Sequence, residues 1–154
     1  MSLVLFLSAV VAVAVAGQSR GFNDKIAWFN SIDEAKAASA VSGKPVFVLI
    51  HKTWCGACKA LKGVFAASDK LAAAADALHL VNLEDDEEPS DAAFKPDGGY
   101  IPRGLFLING VVDASLKVPN GNPKYAYYYS NEPQLLDAFN AAVAASAKAK
   151  KTEL

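Results

Sequence analysis

Val46-Phe47-Val48-Leu49-Ile50 is an unbroken apolar run with β-branched residues at alternate positions. A run of that length with no polar alternation reads as a strand buried on both faces. Such a strand needs helices above and below its sheet, and the flanks supply them. Upstream, Ser31-Ile32-Asp33-Glu34 is a capping box opening an alanine-rich helix that stops at Gly43. Downstream, helical pattern runs through Leu61 and Phe65, and a second stretch covers Ser68 to Leu78.

Leu80-Val81-Asn82-Leu83 reads as a second strand and Gly104-Leu105-Phe106-Leu107-Ile108 as a third. Asn109-Gly110 is a hairpin signal leading into Val111-Val112. Ser130 or Asn131 caps a final helix reaching about Ala147. Parallel strands with helical crossovers, followed by an antiparallel hairpin, predict one α/β domain with a mixed central sheet flanked by helices. Between hairpin and last helix, Tyr125, Tyr127, Tyr128 and Tyr129 cluster; the alternation at 125, 127 and 129 reads as a packed face rather than a docking patch.

The ends of the chain suggest a destination. Residues 3–16, LVLFLSAVVAVAVA, form an uncharged apolar run that is short for a membrane span and closes on Ala14-Val15-Ala16. It reads as a signal peptide over residues 1–16, lacking the usual Lys or Arg before the apolar stretch, with an uncleaved anchor as the competing reading. Residues 17–30 then form a short extension, residues 31–147 the domain, and residues 148–154 a tail. That tail ends in Lys151-Thr152-Glu153-Leu154, similar to the Lys-Asp-Glu-Leu retrieval signal. Together the two signals predict a resident of the endoplasmic reticulum lumen, met by a KDEL-type retrieval receptor and not inserted in the membrane once the leader is cleaved. That compartment permits disulfides. A net charge of -1 leaves no basic footprint for nucleic acid.

The chain has two cysteines, Cys55 and Cys58, in HKTWCGACKALK. Three readings compete. As a structural staple the pair would close a very small loop, which stabilises little. As half of a zinc site it would need partners, but His51 and His79 do not form the usual second ligand pair and read as surface or partly packed residues. As a working dithiol the placement makes sense. A strand-loop-helix geometry sets Cys55 at a helix start, where free N–H groups and the macrodipole favour a thiolate. Cys58 follows nearly one turn later on the same face. Cys55 then attacks or is attacked to form a mixed disulfide, and Cys58 resolves it. Lys52 and Lys59 add positive charge nearby. No cofactor is called for. The run Glu84 to Glu88 reads as a solvated acidic loop, with weak calcium binding as the lesser alternative.

Trp54-Cys55-Gly56-Ala57-Cys58-Lys59 resembles the active site of the thioredoxin superfamily. With VNLEDDEEP, PDGGYIPRGLFL and NGNPKYAYYY, the chain resembles, over about residues 22–140, the small single-domain endoplasmic-reticulum members of the protein disulfide isomerase family, related to the anterior gradient proteins. The resemblance implies a thioredoxin-like fold and a thiol–disulfide oxidoreductase or isomerase. Its partners would be cysteine-containing secretory clients and glutathione or another lumenal thiol–disulfide partner. It implies that Cys55 and Cys58 are catalytic, supported by Trp54, Gly56, Ala57 and Lys59. It also implies that Pro102 is the superfamily's cis-proline, with Tyr100 and Ile101 beside it and the Ile101 backbone pairing with an extended client segment.

Three departures stand out. Ala57 replaces the proline or histidine found between the cysteines of thioredoxin and the large isomerases. Leu49 occupies the place of a buried acid that relays protons in many relatives. Both cysteines are kept, where anterior gradient relatives replace one. The competing reading from another class is a non-catalytic client-binding folding factor or adaptor.

Overall fold

The computed structural model describes residues 17–152. The expected leader and the last two residues of the retrieval tetrapeptide lie outside the described residues.

The apolar run forms β2 (Val46–His51), and all six of its residues are buried. It sits at the centre of a five-stranded sheet ordered β1-β3-β2-β4-β5, with β1 at Trp28–Phe29, β3 at His79–Glu84, β4 at Arg103–Ile108 and β5 at Val111–Val112. β3 runs parallel to both β1 and β2, whereas β4 is antiparallel to β2 and β5 to β4. The mixed sheet expected from the sequence is therefore present.

Alternation along β2 divides two cores. Phe47 and Leu49 face a cluster with Leu61 and Phe65 of α2 (Gly56–Ala66), Leu71 of α3 (Asp69–Ala75) and Phe139 of α4 (Glu132–Thr152). Val46, Val48 and Ile50 face the other way, onto Ala35 of α1 (Ile32–Ser42), Leu105 and Tyr127. Period-two geometry sends neighbours to opposite faces, so both faces must be apolar.

Local signals placed the helix ends. Ser31 accepts the Glu34 N–H at 3.1 Å, and the Glu34 carboxylate takes the Asn30 N–H at 3.3 Å. Gly43 closes α1 in the left-handed region at φ 73°, a conformation that favours glycine. Gly104 is required for another reason: a Cβ there would lie 2.7 Å from the Phe47 ring, so β4 could not pass beneath it.

The lead-in segment is part of the packed body. Phe22, Ile26 and Trp28 join the core, and Trp28–Phe29 adds a strand beside β3. The last helix runs beyond Ala147 to Thr152, because its Ala-Lys repeat holds no glycine or proline to stop it. Tyr127 and Tyr129 are buried as expected of packing residues, in a loop after a short 3-10 turn at Pro123–Tyr125 rather than in a strand.

Candidate active site

β2 ends at His51, and four residues later the chain turns into α2 with Cys55 as its N-cap. Cys55 Sγ accepts the Cys58 N–H at 3.1 Å. The sulfur thus replaces the oxygen of an ordinary capping side chain, at the helix end where anions are favoured. Cys55 and Cys58 are joined in a disulfide, with Cα atoms 5.2 Å apart, and both residues are largely shielded from solvent. The Lys59 N–H donates to the Cys55 carbonyl at 3.1 Å, while the Lys59 side chain lies on the exposed face. Gly56 opens the helix and would meet no atom if it carried a Cβ; Ala57 follows, half-buried. Trp54 precedes the pair with 73% of its surface exposed.

The second wall comes from the turn before β4. Ile101–Pro102 is a cis peptide bond, and the Ile101 carbonyl oxygen lies 3.9 Å from Cys55 Sγ. Pro102 is buried and Ile101 half-buried. Tyr100 is held from the side: its hydroxyl donates to Asp97 at 2.7 Å and accepts the Tyr127 N–H at 3.0 Å. Its ring meets Tyr125 edge-on at 4.9 Å. Burial first, then the Asp97 bond, raises the Tyr100 phenol above its ordinary value.

Several residues at this end carry roles that pattern reading did not assign. Arg103 is 1% exposed. It donates to the Phe94 and Tyr100 carbonyls at 3.1 and 2.6 Å and to Glu88 at 2.6 Å. Lys52 donates to the Asp85 carbonyl at 2.6 Å and pairs with Glu88 at 2.9 Å. Asp85 caps the loop by accepting the Thr53 N–H at 2.9 Å. The Thr53 N–H in turn is the main reason the Asp85 carboxyl is held below its usual range. Glu87 pairs with Arg20, and that bond lowers its pKa; Arg103 does the same for Glu88.

The acidic run is therefore no freely solvated loop. It folds into a 3-10 turn at Asp85–Glu87, and Glu84, Glu87 and Glu88 are engaged by Arg20, Lys52 and Arg103. Among the described residues, no group of three or more His, Cys, Asp or Glu is placed to hold a metal ion.

His51 also departs from expectation. It is 1% exposed, bonded through Nε2 to Asn82 Oδ1 at 3.2 Å, and its ring lies tilted against Phe22 with centroids 4.6 Å apart. Burial lowers its pKa. A histidine abutting an apolar run was the available signal, since the strand's burial extends one residue past its last aliphatic side chain. Leu49, at the place of the missing acid, is wholly buried among apolar side chains.

A family model described as Thioredoxin-like matches residues 27–108, which contain the dithiol, the cis-proline and the central strands. The chain belongs to the thioredoxin-like family. That family comprises thiol–disulfide oxidoreductases, and the sheet order and the Cys55 N-cap agree with membership. Among curated relatives, anterior gradient protein 3 of Xenopus tropicalis is 32% identical, with 93% of this chain and 92% of that protein covered. Anterior gradient protein 2 homolog of Homo sapiens is 34% identical over 88% of this chain and 75% of its own length. Among solved structures, the crystal structure of disulphide isomerase from Xylella fastidiosa Temecula1 aligns at 20% identity and TM-score 0.40, over 77% of this chain and 88% of that one. The thioredoxin-like assignment rests on the family model, the anterior gradient relatives and the topology itself.

Proposed function

We propose that this protein is a thiol–disulfide oxidoreductase or isomerase that acts on disulfides of secretory-pathway clients through the Cys55-Gly56-Ala57-Cys58 dithiol. The observation carrying this reading is the position of Cys55 Sγ: it caps α2 by accepting the Cys58 N–H and lies 3.9 Å from the Ile101 carbonyl beside cis-Pro102. The cap favours a thiolate leaving group or nucleophile, and the Ile101 backbone offers an extended client segment something to pair with.

In the oxidising direction, a client thiolate attacks Cys55 Sγ. The Cys55–Cys58 bond breaks, its electron pair leaves on Cys58 Sγ, and a mixed disulfide forms. A second client thiolate then attacks the client sulfur of that mixed disulfide and expels the Cys55 thiolate, leaving a client disulfide and a reduced pair. Reduction runs the same steps backwards, with Cys58 expelling the client from Cys55. Isomerisation is an attack by reduced Cys55 followed by internal exchange within the client. Glutathione or another lumenal thiol–disulfide partner restores the pair.

No carboxylate stands at Leu49, so the proton that Cys58 loses on resolving passes to water or to a client thiolate. The same absence favours, as a second reading, a folding factor that holds clients without turnover. The leader pattern at residues 1–16 and the Lys151-Thr152-Glu153-Leu154 signature support a location in the endoplasmic reticulum lumen, maintained by a KDEL-type receptor.

The reduction potential decides between the readings. Purified protein is equilibrated in graded glutathione buffers and its free thiols are trapped. A potential near the lumenal poise of about -180 to -210 mV supports a cycling pair; one below about -300 mV makes the disulfide structural and hands the function to client holding. In cells, Cys58→Ala is expected to accumulate mixed disulfides through Cys55. Client association that survives loss of both cysteines, with no adducts formed, sinks the enzymatic reading.

A further inference from the structure

The two walls beside the disulfide, the Lys52–Cys55 turn and the Tyr100–Pro102 turn, are built from distant stretches of chain, and one side chain touches both. Lys52 belongs to the dithiol wall: its carbonyl accepts the Cys55 N–H at 3.3 Å. Arg103 belongs to the proline wall: it follows Pro102 directly and reaches back to the Tyr100 carbonyl at 2.6 Å, bracketing Ile101 and Pro102. Glu88 offers one carboxylate oxygen to each, Oε2 to Lys52 at 2.9 Å and Oε1 to Arg103 at 2.6 Å. The β2–β4 ladder pairs Ile50 with Arg103 and ends there, two residues short of Lys52, so Glu88 continues the tie beyond the sheet.

We propose that Glu88 is a positioning residue that presets the separation of the two groove walls, so that an extended client segment docks between Trp54 and Ile101 without first ordering the site. This inference rests on the oxidoreductase reading for its client but concerns docking, not thiol chemistry. Glu88 touches neither sulfur; it acts through Lys52 and Arg103. Its geometry suits the task. A carboxylate bridging two cations is held at both oxygens, and Arg103 presents a planar fork that fixes direction as well as distance. Arg103 is itself locked by two main-chain carbonyls and near-complete burial, so the proline wall is the fixed jaw. Lys52, anchored also to the Asp85 carbonyl at 2.6 Å, is the jaw that Glu88 adjusts. Preorganisation of this kind strengthens binding by removing the cost of ordering the site.

The test separates the bridge from simple stability. Glu88→Gln keeps an acceptor for Arg103 but turns an amide N–H toward the Lys52 ammonium, breaking one jaw. Lys52→Met breaks the same jaw from the other side. KM and kcat for a disulfide-bonded peptide are measured for wild type, both single variants and the double variant, with glutathione equilibrium and urea midpoint alongside.

Each single variant is expected to raise KM about tenfold, the double variant no further, with kcat and the reduction potential unmoved in Glu88→Gln, which keeps the Lys52 charge beside the dithiol. Because both changes sever one bridge, their effects do not add. An unchanged KM, effects that multiply in the double variant, or a shifted potential in Glu88→Gln overturns the proposal. If the wild type exchanges no disulfide at all, the oxidoreductase reading fails separately. The four oxidised proteins are then titrated with a cysteine-free extended peptide by calorimetry. The same tenfold, non-additive weakening upholds the bridge; equal affinities, or no binding by the wild type, overturn it.

Discussion

The two ends of β2 are closed by different chemistry. At the N-terminal end, around Gly43 and Lys44, most closing bonds end on a main-chain carbonyl; the exception is Ser42 Oγ, which accepts the Lys44 N–H at 3.1 Å and meets His79 Nε2 at 2.7 Å. Ser39 Oγ and Ser146 Oγ donate to the Lys44 and Gly43 carbonyls, both at 2.6 Å, and Lys44 Nζ donates to the Asp76 carbonyl at 2.7 Å. At the C-terminal end, next to the dithiol, carboxylates of Asp85, Glu87 and Glu88 join the main-chain carbonyls of Asp85, Phe94 and Tyr100 as acceptors, facing Thr53, Arg20, Lys52 and Arg103. A main-chain carbonyl is not titrated and moves only with its element. A carboxylate can be protonated, screened and swung about its own torsions. One end of the strand is thus mounted mainly on main chain, and the other, beside the dithiol, adds an adjustable mount.

The sharpest way to break this contrast is to remove the buried cation. Arg103→Met strips three partners at once and leaves Glu88 with Lys52 alone, so a loss of about 3 kcal/mol is expected in urea unfolding at unchanged m-value. A loss under about 1 kcal/mol would mean the adjustable end contributes little to the fold.

Acid is the next lever. Burial keeps the folded His51 imidazole neutral below the usual value of about 6.5, where the unfolded chain binds a proton. Stability from this residue is therefore full above that pH and declines as pH falls through and below it. Glu87 and Glu88, depressed by Arg20 and Arg103, add a second decline below the ordinary carboxylate range of about 4.3. His51→Asn is expected to shrink the first decline between about pH 7.5 and 5.5, with His79, whose pKa burial also lowers, keeping the remainder, and to leave the second in place; an unchanged slope would assign the whole decline elsewhere.

At the fixed end, Ser146→Ala orphans the Gly43 carbonyl and is expected to cost about 1 kcal/mol. This loss should be the same at neutral and mildly acidic pH, and a pH-dependent loss would blur the distinction between the ends. Smallest of all in stability is Trp54→Ala, within about 0.5 kcal/mol because the ring is 73% exposed. Client trapping by Cys58→Ala is nonetheless expected to weaken when Trp54 is also removed, as read from adduct yield on non-reducing gels.

What was legible in the chain follows this division. The Val46–Ile50 run, the Ser31 cap, the Gly43 stop and the Asn109-Gly110 hairpin are local signals, and each element formed where its residues point. The dithiol at the mouth of α2 was equally local. The adjustable end was not legible, because Glu88 and Arg103 lie fifteen positions apart. A run of carboxylates looks the same in sequence whether water or a buried guanidinium faces it. His51 reads in sequence as a surface or partly packed residue and is fully buried for a related reason: its partners Phe22 and Asn82 come from either side in sequence, and only the assembled sheet brings them together. The overrun of α4 past Ala147 reflects an absence of stop signals, which a pattern of starts and stops resolves poorly.

Both margins of the sheet are strands of two residues, Trp28–Phe29 on one side and Val111–Val112 on the other, and the Trp28 carbonyl is already taken by the Gly17 N–H at 2.8 Å. Long bare margins are templates on which sticky, half-made chains assemble into aggregates. Tapering the sheet to two-residue stubs removes such templates from this fold. Foreign backbone then finds little to zip onto at either margin.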